Sequence, residues 1–248
     1  MGLLPALSAE KAPRKQARIL SLHPLILLLH ERSRSRVAKT NKPSARKAPN
    51  REIRAEDGEL RIIGGQWRGR KLRFPPLSGL RPSPDRVRET LFNWLAPELP
   101  GARCLDLFAG SGALGLEALS RGAAHSVFVD SARAACDRIN DHLKLLGSPD
   151  GKVCHSDVAH WLAHKPGNEA PFDMVFLDPP FRQDFLRDCC VAVEDNGWLA
   201  ARAWIYLESG ADEALPALPS NWTLYRDKRA GQVAYRLFQR VAASTPSG

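Results

Sequence analysis

Apolar and polar positions between residues 103 and 208 follow a regular alternation of strand and helix patterns. Five apolar runs have the length of buried strands, and the segments between them carry apolar residues three and four positions apart, as in helices. The predicted strands are Arg103–Phe108, Ser126–Val129, Lys152–His155, Phe172–Leu177 and Trp204–Glu208. Strands and helices that alternate in this way predict a parallel sheet of βαβ units, and hence an α/β fold.

The helices and the last hairpin are marked by their ends. Helices are predicted from a cap at Asp85 through Leu95, over 113–121 with Gly122 as a left-handed cap, over an apolar stripe from Ala132 to Leu146 that stops at Gly147, after Asp157, and over about 184–193. Segments 222–227 and 233–238 flank Arg229-Ala230-Gly231 and predict an antiparallel hairpin at the edge of the sheet.

Charge is distributed unevenly along the chain, whose formal net charge is +9. Residues 1–60 hold 13 basic and 6 acidic side chains, residues 61–90 hold 8 and 2, and residues 91–248 hold 15 and 19. Residues 1–57 show no sustained period, so we predict that they are mostly disordered. Their apolar run at 19–29 is shorter than the ~20 residues that cross a bilayer, so no membrane partner is expected.

The segment from Leu60 to Leu72 predicts two short strands around glycine turns, that is, a hairpin with one basic face. Basic side chains alternate there with apolar ones. Because neutralised phosphates release counterions, such a face suits a nucleic-acid backbone. The predicted RNA-contacting residues are Arg68, Arg70, Lys71 and Arg73.

Cysteine and histidine spacing gives no support for a disulfide framework or a metal site. The five cysteines form no Cys-x-x-Cys pair, which is typical of a reducing compartment. His160 and His164 are one helical turn apart, but no further ligand completes a set, so we interpret them as solvent-facing. We expect a cytoplasmic monomer without metal.

The first strand ends in a glycine turn that predicts a nucleoside cofactor. Gly110, Gly112 and Gly115 fit Gly-x-Gly-x-x-Gly, and Asp130 follows twenty residues later, where a ribose hydroxyl is held. This pattern alone leaves a nicotinamide dinucleotide open. Asp106 favours S-adenosylmethionine instead, because a carboxylate repels a pyrophosphate and attracts a sulfonium and an ammonium. Phe108 completes the predicted contacts of this turn.

Each acidic residue of this set also has a purely structural interpretation. Asp106 would be a hydrogen-bonded strand residue, and Asp130 a cap of the helix that begins near Ala132. Asp157 either reaches an adenine amino group or caps the short helix that starts at Val158, and the two alternatives are equally supported.

The fourth strand ends in Asp178-Pro179-Pro180-Phe181, which suits a flat base that carries an amino group. The Asp178 carboxylate and the Pro179 carbonyl would accept the two amine hydrogens and direct the nitrogen lone pair. Phe181 would stack on the base. Because ligands bind at the carboxyl ends of strands, both strand ends are expected to face one crevice.

Four segments together resemble the small-subunit ribosomal RNA guanine-N2 methyltransferases of the RsmD type. They are Arg61–Leu72, Arg81–Asn93, Asp106–Ala118 and Asp178–Phe181. The resemblance implies a Rossmann-like seven-stranded fold, S-adenosylmethionine as donor, and one guanine of 16S rRNA as acceptor, within the small subunit or its assembly intermediate. It also implies that Arg81 and Ser83 lie over the cofactor, with the helix of Arg86 and Arg88 beside them. The alternative interpretation of that helix is simple packing with solvated arginines.

The resulting organisation has three parts: a basic extension over 1–59, an RNA-contacting hairpin over 60–80 and a methyltransferase domain over 81–240. Three other functions stay open on the residues alone. They are an adenine-N6 methyltransferase of DNA or RNA, a dinucleotide-dependent oxidoreductase, and a non-catalytic RNA-binding assembly factor.

Overall fold

The computed structural model describes residues 58–74, 84–165, 167–179 and 185–241. Its strands are β1 (Gly58–Arg61), β2 (Lys71–Phe74), β3 (Arg103–Leu107), β4 (His125–Asp130), β5 (Gly151–His155), β6 (Phe172–Leu177), β7 (Leu199–Gly210), β8 (Trp222–Ala230) and β9 (Val233–Val241). Its helices are α1 (Asp85–Leu95), α2 (Ala113–Ser120), α3 (Arg133–Leu146), α4 (Val158–Ala163) and α5 (Phe185–Asp195). Residues 1–57, which include most of the predicted extension, lie outside the described residues, as do Arg81, Ser83 and Phe181.

Seven strands form one sheet in the order β5-β4-β3-β6-β7-β9-β8. Strands β3 to β7 are parallel, and β9 runs antiparallel between β7 and β8. The predicted parallel βαβ units and the antiparallel edge hairpin are therefore confirmed. The register sets Leu107 of β3 beside Leu177 of β6, and Leu177 beside Leu207 of β7.

Strand β7 is longer than the predicted Trp204–Glu208. It begins at Leu199, and its residues 202 and 203 pair with the end of β9. Residues 200–202 contribute little hydrophobic signal, since they are Ala-Ala-Arg and at least partly exposed. Cross-strand hydrogen bonds, which depend on the distant β9, therefore set this boundary.

The two faces of the sheet are covered by different helices. Side chains such as Leu105, Val127 and Val175 pack with α4 and α5. The alternate positions, such as Cys104, Phe128 and Phe176, pack with α1, α2 and α3. Because successive side chains of a strand point to opposite faces, residues 104, 106, 128 and 176 share one face.

Strands β1 and β2 form the predicted hairpin, and it is fixed to the body. Its buried side chains Leu60, Ile62, Leu72 and Phe74 form one cluster with residues of α2 and α3. The basic side chains between them stay on the outside.

The predicted glycine caps of α2 and α3 are confirmed, whereas the predicted cap at Asp85 is wrong. Gly122 (φ 101°) and Gly147 (φ 65°) adopt the left-handed conformation after α2 and α3. Asp85, by contrast, is the first residue of α1 and makes no capping bond. Its carboxylate instead accepts a hydrogen bond of 2.6 Å from Arg88, because that arginine is held nearby by tertiary contacts. Among the described residues, no helix is long and apolar enough to span a membrane.

Candidate active site at the carboxyl edge of the sheet

The two predicted strand ends lie side by side. Leu107 and Leu177 are neighbours in the parallel register, so the chain leaves β3 at Phe108 and β6 at Asp178 on adjacent strands. The carboxyl ends of β4 and β5 bring Asp130 and Asp157 to the same edge. In open α/β sheets this edge is the ligand-binding edge.

The turn after β3 has an unusual backbone. Gly110 (φ 54°) and Gly112 (φ 76°) are left-handed, and Phe108 (φ 62°) is the one non-glycine residue with positive φ in the described part of the chain. L-residues adopt this conformation at an energetic cost, and such strained residues concentrate at ligand sites. Because Gly110 and Gly112 carry no side chain, a cofactor can approach the backbone of this turn closely at Gly110, which is half-buried.

Asp130 stabilises this turn. One carboxylate oxygen accepts the Gly110 N–H at 2.8 Å, and the other accepts the Ala132 N–H at 2.7 Å. It therefore bridges the loops after β3 and β4. The interpretation of Asp130 as the cap of α3 is wrong, because the N-cap residue is Ala132. A carboxylate offers about four acceptor sites, so these two bonds leave acceptor capacity for a ribose hydroxyl.

Asp106 lies beneath the turn with 2% of its surface exposed and accepts the Gly115 N–H at 2.8 Å. Burial, reinforced by the Asp130 charge and opposed by the Gly115 hydrogen bond, raises the pKa of its carboxyl from 3.8 to about 8. At neutral pH it is therefore mostly protonated. A cation bound beside it would favour the ionised form, whereas a phosphate would not. The set of acidic groups at this edge thus fits a sulfonium and ammonium donor better than a dinucleotide.

We predict that this proton makes the affinity for S-adenosylmethionine dependent on pH. We expect affinity to rise about tenfold per pH unit between about pH 6 and pH 8, because the bound cation selects the ionised carboxyl and one proton must leave. Calorimetry in two buffers of different ionisation enthalpy measures that proton. Asp106→Asn should bind more weakly and release none; an unchanged proton release would contradict this assignment.

The raised pKa of Asp106 also makes folding stability depend on pH, and stability falls with rising pH whereas the affinity for S-adenosylmethionine rises. The cofactor-free folded chain binds this proton more tightly than the unfolded chain, so the contribution of Asp106 to stability falls as pH rises from about 4 to 8. Asp106→Asn removes that dependence.

Asp157 acts as a helix cap in the structure. It is the N-cap of α4, and its carboxylate accepts the His160 N–H at 2.9 Å. This confirms the capping interpretation and leaves the contact with adenine a prediction. No group of three or more possible metal ligands, around His160 and His164 or elsewhere, occurs in the described part of the chain.

The β6 end carries Asp178, which is half-buried, and Pro179, which is buried. Beside it on β7 lies Glu208, a carboxyl with 2% of its surface exposed that accepts the Tyr206 hydroxyl at 2.7 Å. Burial, followed by the charges of Glu208 and Asp178, holds the pKa of Tyr206 well above its usual value. Sequence reasoning missed Glu208, although its place at the end of the predicted fifth strand was the available signal.

A buried polar cluster, which we call the hairpin lock, joins the basic hairpin to α2. Glu117 of α2 is fully buried and accepts the N–H groups of Ile63 and Gly64, each at 2.8 Å. Its carboxylate also accepts Arg121 Nε at 2.7 Å and lies 3.7 Å from Arg88 Nη1.

Arg88 and Ser120 complete the hairpin lock. Arg88, 1% exposed, donates to the Arg61 carbonyl at 2.9 Å, so the expectation of solvated arginines is wrong for this residue. Ser120 Oγ donates to the Gly64 carbonyl at 2.6 Å. The side chains of Arg68, Arg70, Lys71 and Arg73 are all exposed, and the lock fixes the hairpin that carries them onto the helix that begins at the glycine turn.

A seven-stranded sheet of this order, with a glycine turn after β3 and an Asp-Pro end on β6, defines an S-adenosylmethionine-dependent methyltransferase of the Rossmann-like class. Within that class the chain belongs to the family described as conserved hypothetical protein 95, whose model matches residues 60–239. This match, together with the relatives named below, confirms the resemblance to the RsmD type.

Curated relatives carry the family's functional name. The chain is 54% identical over 185 residues to "Ribosomal RNA small subunit methyltransferase D" of Escherichia coli K12, covering 75% of this chain and 92% of that protein. It is 44% identical over 184 residues to the protein of the same name from Haemophilus influenzae, covering 73% and 94%. Among solved structures, a putative methyltransferase, yhhF, from Escherichia coli has 54% identity and a TM-score of 0.69, covering 75% of this chain and 100% of that one.

Proposed function

We propose that this protein transfers a methyl group from S-adenosylmethionine to the exocyclic N2 amine of one guanine in 16S rRNA of the small ribosomal subunit, position 966 in the family's usual description. The observation that carries the proposal is the adjacency of the β3 turn and the Asp178-Pro179 end on neighbouring parallel strands. A methyl donor and an amine acceptor then meet at one edge of the sheet. The names of the relatives support 16S rRNA as the substrate.

The donor, when bound, supplies a methyl group on a sulfonium. Asp106 and Asp130 surround the β3 turn with acidic groups that match its positive charge, and Gly110 and Gly112 allow close approach of its amino-acid part. We propose that Arg81 and Ser83 cover it and that Asp157 contacts the adenine end. Single substitutions of these residues test each role separately.

At the acceptor side the residues position an amine whose lone pair is delocalised into the base. Asp178 and the Pro179 carbonyl accept its two hydrogens, which draws the nitrogen toward tetrahedral geometry, and Phe181 stacks on the ring. The new C–N bond replaces the C–S bond, and the amine loses one proton to water or to Asp178. Arg68, Arg70, Lys71 and Arg73 hold the RNA backbone while the guanine is unstacked into the crevice.

Tritium transfer from labelled S-adenosylmethionine tests this function. Purified small subunits that lack the modification, naked 16S rRNA and duplex DNA are compared as acceptors. We expect label in the subunits that digests to N2-methylguanosine. Label as N6-methyladenine would move the protein to the adenine class, and cofactor binding without label in any acceptor would leave an RNA-binding assembly factor. Monomeric state and cytoplasmic location stay predictions.

A further inference from the structure

The edge strand β8 carries a second basic surface. Its residues 223–229 are exposed, and three of them, Arg226, Lys228 and Arg229, are basic, although residues 91–248 as a whole carry more acidic than basic side chains. The only acidic residue of the strand, Asp227, pairs with Arg236 of β9 at 3.2 Å. In the described part of the chain none of the three basic residues forms an ion pair, so their charge is not neutralised.

Two of these cations are ordered by aromatic rings. The Arg226 guanidinium lies 3.9 Å from the centre of the Tyr225 ring and donates to the Tyr225 carbonyl at 2.9 Å and to its hydroxyl at 3.2 Å. Lys228 Nζ lies 5.6 Å from the centre of the Trp94 ring. A ring holds a cation without cancelling its charge, so less conformational entropy is lost when an anion binds.

The register places this surface at the level of the acceptor site. Lys228 pairs with Tyr235, Tyr235 pairs with Glu208, and Glu208 follows the Leu207 that pairs with Leu177, directly before Asp178. Lys228 and Asp178 therefore lie on one row of residues across four strands. Neighbouring strands are roughly 4.8 Å apart, so the backbones of the two residues are separated by about 14 Å. Nucleotides that flank a target base are within reach of both.

The hairpin and the β8 side chains Arg226 and Lys228 lie toward opposite ends of the sheet on the α1–α2–α3 side, whereas Arg229 follows Lys228 and points to the other face at the exposed edge of β8. The hairpin packs with α2 and α3, whereas Lys228 lies over Trp94 of α1. The carboxyl ends of β3 and β6 lie between them. A strand of RNA whose target base enters the crevice would then meet cations in both directions.

We propose that Tyr225, Arg226, Lys228 and Arg229, which we call the β8 patch, bind the phosphate backbone of the RNA substrate on the side of the target base opposite the hairpin. This inference rests on the proposed function. The partner is RNA because the patch offers unneutralised, ordered cations at the row of the acceptor site.

The test is the triple variant R226A/K228A/R229A, measured beside K144A/K152A/R202A, which removes the same formal charge near the amino ends of the parallel strands. We expect the patch variant to bind unmodified small subunits and naked 16S rRNA about tenfold more weakly, and the slope of log affinity against log salt to fall by about two. The value of kcat and the affinity for S-adenosylmethionine should stay unchanged. The control variant should bind like the wild type.

Three results would overturn the β8 patch: equal losses in both variants, no loss in the patch variant, or loss with subunits but not with naked rRNA, which would indicate a protein partner. Failure of the wild type to methylate subunits would instead refute the proposed function. Because binding and methylation are measured separately, the two failures are distinguishable.

Discussion

Replacing Asp178 with alanine is expected to lower kcat for methyl transfer by about 10²- to 10³-fold, the loss found when one positioned polar group is removed from a reacting centre. Asp178 directly follows β6, the strand adjacent to the one that ends in the glycine turn, and would accept a hydrogen bond from the target amine. The affinity for S-adenosylmethionine and the KM for subunits should change by less than about threefold, because the donor and the RNA backbone are held by other residues. Single-turnover tritium transfer to unmodified subunits measures the step.

Two further variants sharpen this result. Asp178→Asn keeps one acceptor oxygen but adds an N–H₂ that opposes the amine hydrogens, so its rate should fall between those of the wild type and Asp178→Ala. Asp195→Ala removes an exposed carboxylate at the end of α5 and serves as the control for lost charge. If Asp178→Ala keeps more than about a tenth of kcat, Asp178 does not orient the amine.

The parts of the fold that depend on local pattern could be predicted from the sequence. Strand β6 has the predicted bounds, and Gly122 and Gly147 follow their helices as expected. Both features depend on neighbouring residues alone, namely the spacing of apolar side chains and a glycine that can adopt positive φ. The glycine turn and the Asp178 end could also be predicted, because each is a continuous stretch of sequence directly after an apolar strand. Parallel strands then bring both to one edge without further information.

Features that depend on distant partners could not be predicted. Arg88 reads as a solvated helix residue because Glu117 and the Arg61 carbonyl, its buried contacts, lie 29 and 27 positions away. Asp106 was expected to be charged, but its pKa depends on burial that only the folded sheet produces. The sequence shows which residues can carry charge; packing decides which of them do.

Replacing Glu117 with alanine should release the hairpin from the body. The substitution removes the acceptor of two backbone N–H groups and leaves the buried Arg88 with only the exposed carboxylate of Asp85, so the free energy of unfolding should fall by about 3–5 kcal/mol. Urea denaturation measures that loss. Asp137→Ala, which breaks an exposed pair with Arg133 on α3, should cost less than about 1 kcal/mol.

Hydrogen exchange separates release of the hairpin from general destabilisation. The amides of Ile63 and Gly64, which bind Glu117, should lose protection in Glu117→Ala more than the amides that pair β3 with β6. Since the hairpin carries Arg68, Arg70, Lys71 and Arg73, the KM for subunits should rise while the affinity for S-adenosylmethionine changes less. Uniform loss of protection, with KM unchanged, would mean that Glu117 stabilises the fold without positioning the hairpin for RNA.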